Sequence, residues 1–314
     1  MLQGVNTGLG IAVVHYRTPE VALDCLTRLA RAAPNAEVVL VDTAPEPAFQ
    51  QRLAEEHPRV RFLAAPNHSY SRSVNLGLAQ LATPLVALMN ADVLVEPNTF
   101  TDLMAVLDQH PRGAVVAPLA LTPDGAPQRM GWPYQRNYRR LRSAGRAPRA
   151  NGAPPTAVDV SWLAGYLQLM PRTLWERVGG YDEAFRFFNE DIDFCARVRR
   201  SGAACLLVNS EVVHLGGSST PAHPAFHVEG RRGGMLISQR HRGPAFRGVH
   251  RAFLWAEALL GRATARSAEQ RQAHAMMLEL LRSGGWHEGP FGATLDERRA
   301  SLAQPAPKRH DGSP

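Results

Sequence analysis

The chain has 314 residues, 45% hydrophobic and 20% charged, which is enough apolar material for a sizeable core and argues against wholesale disorder. Its formal charge is +7, carried by arginine with Lys308 as the single lysine; this excess suits an anionic partner such as a diphosphate, a nucleic acid or an acidic membrane surface, without choosing among them. Cys25, Cys195 and Cys205 form no C-x-x-C pair of the kind that binds zinc, and their odd count is a poor disulfide framework, which points to a reducing cytoplasm. No basic-then-apolar leader is present, and no apolar run reaches the roughly 18–20 residues of a membrane span, so a soluble or surface-bound protein is expected.

The first half alternates strand and helix patterns. Ile11–His15 predicts a buried strand, and Pro19–Arg31 a helix with Val21, Leu23, Leu26 and Leu29 at helical spacing and Pro19 in its first turn. Strands follow at Glu37–Val41, Val60–Leu63, Leu85–Met89 and Gly113–Pro118, with helices at Pro47–Glu56, Ser71–Leu81 and Asn98–Gln109 between them. Repeated β-α-β units of this length predict a mostly parallel, Rossmann-like sheet covered on both faces. Ligands of such sheets bind beyond the carboxyl ends of the strands, here His15 to Thr18, Asp42-Thr43 and Asn90 to Asp92.

The stretch from Arg139 to Pro155 turns to Arg, Ala, Gly and Pro and predicts a long loop, of the kind that serves as a lid or is disordered. Beyond it come a strand-like run Val158–Met170, helices at Pro171–Val178 and Glu190–Ser201, and a strand at Ala204–Val208. Val249–Gly261 and Ser267–Leu281 read as helices of a C-terminal extension, and Gln304–Pro314 as a disordered tail.

Three constellations could carry chemistry. Asn90-Ala91-Asp92 ends an apolar strand where a hard cation could bridge a carboxylate to phosphate, although Asn and Asp also favour plain turns. Asp182, Glu183, Glu190, Asp191 and Asp193 crowd together after Gly179-Gly180; capping explains one acid at a helix start, and mutual repulsion can lift one of several pKa values to suit a general base. His214 leaves a strand into Gly-Gly-Ser and gains weight as a metal ligand only beside Asp92; a structural role stays open. Gly8-x-Gly10 precedes the first strand instead of following it, and no GK[ST] or G-x-S-x-G motif occurs. The run QRMGWPYQRNYRRLR reads as an acceptor loop in preference to a nucleic-acid patch, so no nucleic-acid partner is expected.

The blocks IAVVHYRTPEVALDCLTRL, VVLVDTAPE, APNHSYSRSVNLGLAQLATPLVALMNADVLV, WLAGYLQLMPRTLWERVGGYDEAFRFFNEDIDFCARVRRSG and HLGGSS, in this order and spacing over roughly residues 11–220, resemble glycosyltransferase family 2, the inverting enzymes of GT-A fold, and within it bacterial rhamnosyltransferase-like members. The resemblance implies a GT-A domain over 1–222, with a nucleotide-binding half at about 10–118 and an acceptor half at about 119–222, then a helical extension over 223–303 and the tail at 304–314. It implies a nucleotide-sugar site at His15, Arg17, Thr18, Asp42, Asn75, Asn90, Ala91 and Gly165, with Asp42 contacting the base. Asp92, as the last acid of a D-x-D motif, and His214 would hold Mn²⁺ or Mg²⁺. Asp191 would be the general base with Glu190 beside it.

The implied reaction moves a sugar from a nucleoside diphosphate, a UDP- or dTDP-sugar and by the rhamnosyl likeness dTDP-rhamnose, to a saccharide or lipid-linked saccharide hydroxyl in cell-surface polysaccharide or glycolipid synthesis. It would do so in the cytoplasm, with peripheral contact at the inner face of the membrane. Two departures stand out: Thr43-Ala44-Pro45 follows Asp42 where the family usually has Asn and Ser, and Asn90 replaces the first acid of D-x-D. The other readings are a nucleotidyltransferase, for which HYRTPE is a poor phosphate loop, and a catalytically weak sugar-nucleotide-binding protein, favoured by Asn90 and opposed by Glu190-Asp191.

Overall fold

The computed structural model describes residues 8–128, 132–144, 155–216 and 224–286. The chain divides into two compact units between Ser219 and Thr220.

The first unit is built on a nine-stranded sheet. Its strands are β1 (Leu9–His15), β2 (Glu37–Asp42), β3 (Val60–Ala64), β4 (Leu85–Asn90), β5 (Val93–Leu94), β6 (Ala114–Leu121), β7 (Ala157–Asp159), β8 (Leu167–Pro171) and β9 (Ala204–His214). Their order is β3-β2-β1-β4-β8-β6-β9-β5, with β7 also on β9. The expected parallel arrangement holds for β3-β2-β1-β4 and for β6 on β9, whereas β8 runs antiparallel to both β4 and β6, and β5 and β7 run antiparallel to β9.

Alternation along the strands separates two cores. Ile11, Val13, Leu40, Ala87 and Met89 face one side, against α1 (Pro19–Ala32), α2 (Pro47–Glu56) and α4 (Thr99–Leu107) through Leu26, Phe49 and Phe100. Ala12, Val39, Val41, Val86 and Leu88 face the other, against α3 (Tyr70–Ala79), α6 (Arg172–Val178) and α7 (Glu190–Arg200) through Val74, Leu174 and Phe194. A side chain of this size, fully buried, contributes about 1.5–3 kcal/mol. Gly77 lets α3 lie directly on the sheet, because a Cβ there would stand 2.8 Å from both Ala12 Cβ and Val41 Cγ2. Cys25, Cys195 and Cys205 are all buried free thiols.

Several expected boundaries are corrected. The Arg-rich stretch expected as loop from Arg139 begins inside a helix, α5 (Trp132–Ala144); residues 145–154 lie outside the described segments. The run Val158–Met170 is not one strand but the two strands β7 and β8, joined by irregular chain over 160–166. The last strand, expected to stop at Val208, continues to His214 through a bulge opposite Pro118. Proline donates no amide hydrogen, so the ladder breaks there and resumes.

The second unit contains α8 (Pro224–His241), α9 (Pro244–Thr264) and α10 (Ala268–Ser283). α8 lies within the helical extension that the resemblance implies over 223–303, although the sequence pattern marks no helix of its own there. Its core includes the fully buried pair Arg232–Glu229, and Arg232 also donates to the Trp286 carbonyl, so a charged residue occupies a core position and blurs the apolar pattern. The tail expected at 304–314 lies outside the described residues. Among the described residues no helix is long and apolar enough to cross a membrane.

Candidate active site

Parallel register sets out the first part of the site. His15 pairs with Asp42 and Val14 with Asn90, so the carboxyl ends of β2, β1 and β4 lie in a row. Asp42 is fully buried; its Oδ1 accepts from the Ala44 amide at 3.0 Å and lies 3.2 Å from His15 Nδ1, too poorly aligned for a hydrogen bond. His15 Nε2 accepts from the Thr18 amide at 3.0 Å, so the ring proton of a neutral His15 sits on Nδ1, facing Asp42. Asp42 Oδ2 is buried with no hydrogen-bond partner. Arg17, exposed on the loop after β1, is held at φ 55°, a costly conformation for a side chain of its size.

The acidic turn after β4 meets the end of β9 because β5 pairs with it, Val93 opposite His214 and Leu94 opposite Val213. The Leu215 amide donates to the Asp92 carbonyl, and His214 Nε2 comes within 3.3 Å of Asp92 Oδ1. On the other side of the ring, His214 Nδ1 lies 2.7 Å from Gln128 Oε1, and Tyr166 stacks on the ring at 5.4 Å. A carboxamide oxygen only accepts, so Nδ1 must carry the proton, and Nε2 is directed at the Asp92 carboxylate. An imidazole nitrogen and a carboxylate oxygen facing each other at that separation form a donor set suited to a divalent cation.

The third part centres on the start of α7. Phe188 and Asn189, directly before it, are both left-handed, with φ of 67° and 70°. Together with Arg17 they are the positive-φ non-glycine residues among the described residues, and all lie on loops that border this site. Asp191 is buried; its Oδ2 accepts from the Gly165 amide at 3.0 Å and its Oδ1 from the Ile192 amide at 2.8 Å. Burial pushes its carboxyl up to about 6, and these donors, with the nearby Trp162 indole, offset only part of that shift. Gly165 has no room for a side chain: a Cβ would stand 3.0 Å from the Tyr181 hydroxyl and 3.6 Å from Asp191 Cβ.

Tyr70, which the sequence reading passed over, joins the second and third parts. Its hydroxyl lies 2.7 Å from both Asn90 Oδ1 and the Gly165 carbonyl, donating its one proton to either. Burial raises its pKa well above the usual phenol value, and the charges of Glu190, Asp191 and Asp92 add to the shift, which brings all three acids within electrostatic reach of one hydroxyl. Three other acids of the cluster are engaged by the scaffold. Asp193 pairs with Arg197 at 2.7 Å, Asp182 accepts from the Ala184 amide, and Glu183 meets Arg72 and Asn75. Asn75, expected at the donor, spends its amide on Tyr181 and Glu183, both donating to and accepting from Tyr181, and so ties α3 to that turn.

A family model, "Glycosyl transferase family 2", matches residues 11–168, just over half of the chain. The chain belongs to glycosyltransferase family 2. This family 2 enzyme is 27% identical over 236 residues, covering 66% of this chain and 76% of the relative, to an N-acetylglucosaminyl-diphospho-decaprenol L-rhamnosyltransferase of Mycobacterium tuberculosis. It is 25% identical over 197 residues, 61% of this chain and 62% of the relative, to the low-salt glycan biosynthesis hexosyltransferase Agl10 of Haloferax volcanii. Among solved structures it is similar to TarS of S. aureus, with a TM-score of 0.59 and 14% identity; the match covers 88% of this chain but only about half, 49%, of that one. It is also similar to the mannosyltransferase PcManGT of Pyrobaculum calidifontis in complex with GDP-Man and Mn²⁺, with a TM-score of 0.53, 18% identity, and 88% and 81% covered. At these identities the structural likenesses establish the fold, which is GT-A.

Proposed function

We propose that this glycosyltransferase is an inverting, divalent-metal-dependent enzyme that transfers a sugar from a pyrimidine nucleoside-diphosphate donor, with dTDP-rhamnose the first candidate, to a hydroxyl of a lipid-linked saccharide at the cytoplasmic face of a membrane. The observation that carries this reading is the buried Asp191 carboxylate, raised to about 6 and linked through Gly165 and Tyr70 to the Asn90–Asp92 turn. A carboxylate with such a pKa is ionised at neutral pH yet basic enough to take a proton as a bond forms.

The acceptor oxygen attacks the anomeric carbon, its proton passes to Asp191, and the bond from that carbon to the diphosphate breaks, the electron pair leaving with the phosphate oxygen. One such displacement inverts the anomeric centre. Glu190 supports the negative field around Asp191, and Tyr70 holds the turn and the Gly165 backbone in one arrangement. The donor's base is read at Asp42, whose unpartnered Oδ2 suits the N3–H of uracil or thymine and not cytosine. Asp42 is fully enclosed in this state, so a nucleoside reaches it only as the loop carrying His15, Arg17 and Thr18 shifts.

Asp92 and His214 fit a Mn²⁺ or Mg²⁺ ion: oxygen and nitrogen face each other at 3.3 Å, with the His214 tautomer fixed by Gln128. The ion would neutralise charge on the departing diphosphate. Among the described residues no third His, Cys, Asp or Glu joins them, so Asn90 and the donor's own phosphates would complete the shell. The acceptor class follows the relative whose name specifies a diphospho-decaprenol substrate.

The test is transfer from dTDP-rhamnose, UDP- and GDP-sugars to a polyprenyl-diphospho-sugar, with and without EDTA. Asp92→Ala should lose transfer and metal-dependent donor binding. Full activity in EDTA, or in Asp92→Ala, refutes the metal role, and preference for a GDP- or CDP-sugar refutes the base reading.

A further inference from the structure

Helix α9 presents an apolar face to solvent. Phe246, Val249, Phe253, Ala256 and Leu260 recur at i, i+3, i+7, i+10 and i+14, which is one stripe of about 21 Å along a helix. With Leu259 beside them, the large members are between 52% and 71% exposed. Among the described residues they are five of the six exposed large hydrophobic side chains; the sixth is Phe188. The opposite side of α9 buries Leu254 and Ala258 within its own helical unit, so the stripe is surplus to the packing of the fold.

Charge indicates what covers it. Residues 224–286 carry ten arginines and four glutamates, which is +6 of the chain's +7. Two of those arginines are engaged with Glu257 and Glu229. Arg242, exposed, lies over the Phe246 ring with its guanidinium carbon 5.6 Å from the centroid, at one end of the stripe, and the exposed Arg266 follows the helix at the other end. Apolar side chains along one face, an arginine near each end, and too little hydrophobic length to span: these are the features of a helix lying in a membrane interface.

We infer that α9 docks flat on an anionic lipid surface, with Phe246, Val249, Phe253 and Leu260 entering the head-group region and Arg242 and Arg266, near its two ends, meeting lipid phosphates. The same positive charge disfavours a second copy of the chain as the occupant, since two such units would repel. The inference gives a location to the proposed lipid-linked acceptor and rests on that reading for its purpose; the surface itself is argued from α9 alone.

Flotation of the full chain with phosphatidylcholine vesicles, with and without 30% phosphatidylglycerol, tests it. Binding is expected to the acidic vesicles, weakening with salt. Phe253→Asp combined with Leu260→Asp should lower partitioning at least tenfold while leaving transfer to a short, soluble acceptor unchanged. Arg242→Gln and Arg266→Gln should each lower it about five-fold. Brominated acyl chains should quench the fluorescence of a Phe253→Trp variant, whose new indole stands in the stripe, beyond that of the native protein; this readout stands even if the double variant folds poorly. Absence of binding to acidic vesicles, unchanged partitioning of a folded double variant, or a double variant that dissociates a dimer without affecting lipid binding overturns the inference. Lipid binding without use of any lipid-linked acceptor would instead leave the surface in place and refute the acceptor reading.

Discussion

In the β3-β2-β1-β4 half of the sheet, His15, Asp42 and Asn90 leave neighbouring parallel strands in register, and each reaches the ligand edge by ending its own strand. In the β8-β6-β9-β5 half only His214 ends its own strand, and strand register does not complete the arrangement. Asp191 reaches the edge through the amide of Gly165, and His214 is aligned by Gln128, 86 residues earlier. The first half positions side chains by topology, the second by individual hydrogen bonds between distant segments. Damage to the second half should therefore fall on chemistry and metal affinity, and damage to the first on the choice of nucleotide.

The largest expected effect belongs to Asp191. Asp191→Asn keeps the side chain's shape and removes the proton acceptor, so kcat should fall by about 10²–10⁴-fold while donor binding survives. In the parent enzyme the acidic limb of the pH–rate profile should lie near pH 6, and the variant should lack it. Loss of donor binding as severe as in Asp92→Ala would mean that the two halves are not separable.

Next in size is Gln128→Leu. Without its partner the His214 ring is free to change tautomer and turn, and Mn²⁺ affinity should drop by about 10–100-fold, measured by calorimetry or electron paramagnetic resonance. Metal-free nucleotide binding should be unchanged, and an unaltered Mn²⁺ affinity would remove Gln128 from the site.

Asp42→Asn is expected to act on the other half. It replaces an acceptor with a group that can donate, so binding of UDP or dTDP should weaken about tenfold, the loss of one hydrogen bond to a charged group. Selectivity over CDP should narrow, with metal affinity untouched. Retained selectivity would show that the base is read elsewhere.

The smallest effect is on stability. Because the folded-state pKa of Asp191 lies above its ordinary value of 3.8, the native protein holds a proton there that the unfolded chain has released. Stability should fall as pH rises from about 4 to 6, then stay lower by up to about 3 kcal/mol. In Asp191→Asn the amide nitrogen would face either the Gly165 or the Ile192 N–H, a cost at every pH, but this pH dependence is gone, so the variant should gain on the parent in melting temperature between pH 4 and pH 7. A difference between the two that does not change over that range would contradict the burial argument.

Legibility in the sequence divides along the same line. Alternating β-α-β units place Asp42, Asn90 and Asp92 at strand ends because hydrophobic period and turn chemistry are local properties. Tyr70 and Gln128 give no such signal: each looks like an ordinary helix-start or loop residue until the fold brings Gly165 and His214 to it. β5 is two residues long, and the continuation of β9 to His214 passes a bulge, so neither has a period to read. Helix α8 is hidden by Gly230, Gly233 and Gly234 and by an arginine in its core. The acidic cluster could be counted but not sorted, since only the contacts of Asp193 with Arg197 and of Glu183 with Arg72 separate scaffold acids from Asp191.

The buried thiols have a practical consequence. Cys25, Cys195 and Cys205 are all enclosed, and burial raises the pKa of Cys25 and Cys195 far from the range in which a thiolate forms. The folded enzyme should therefore ignore maleimide reagents as it stands. A single cysteine installed by Arg17→Cys, on the exposed loop after β1, would then be the one reactive handle. A dye attached there would report in real time whether that loop lifts when a nucleotide arrives, without any of the three native cysteines having to be removed.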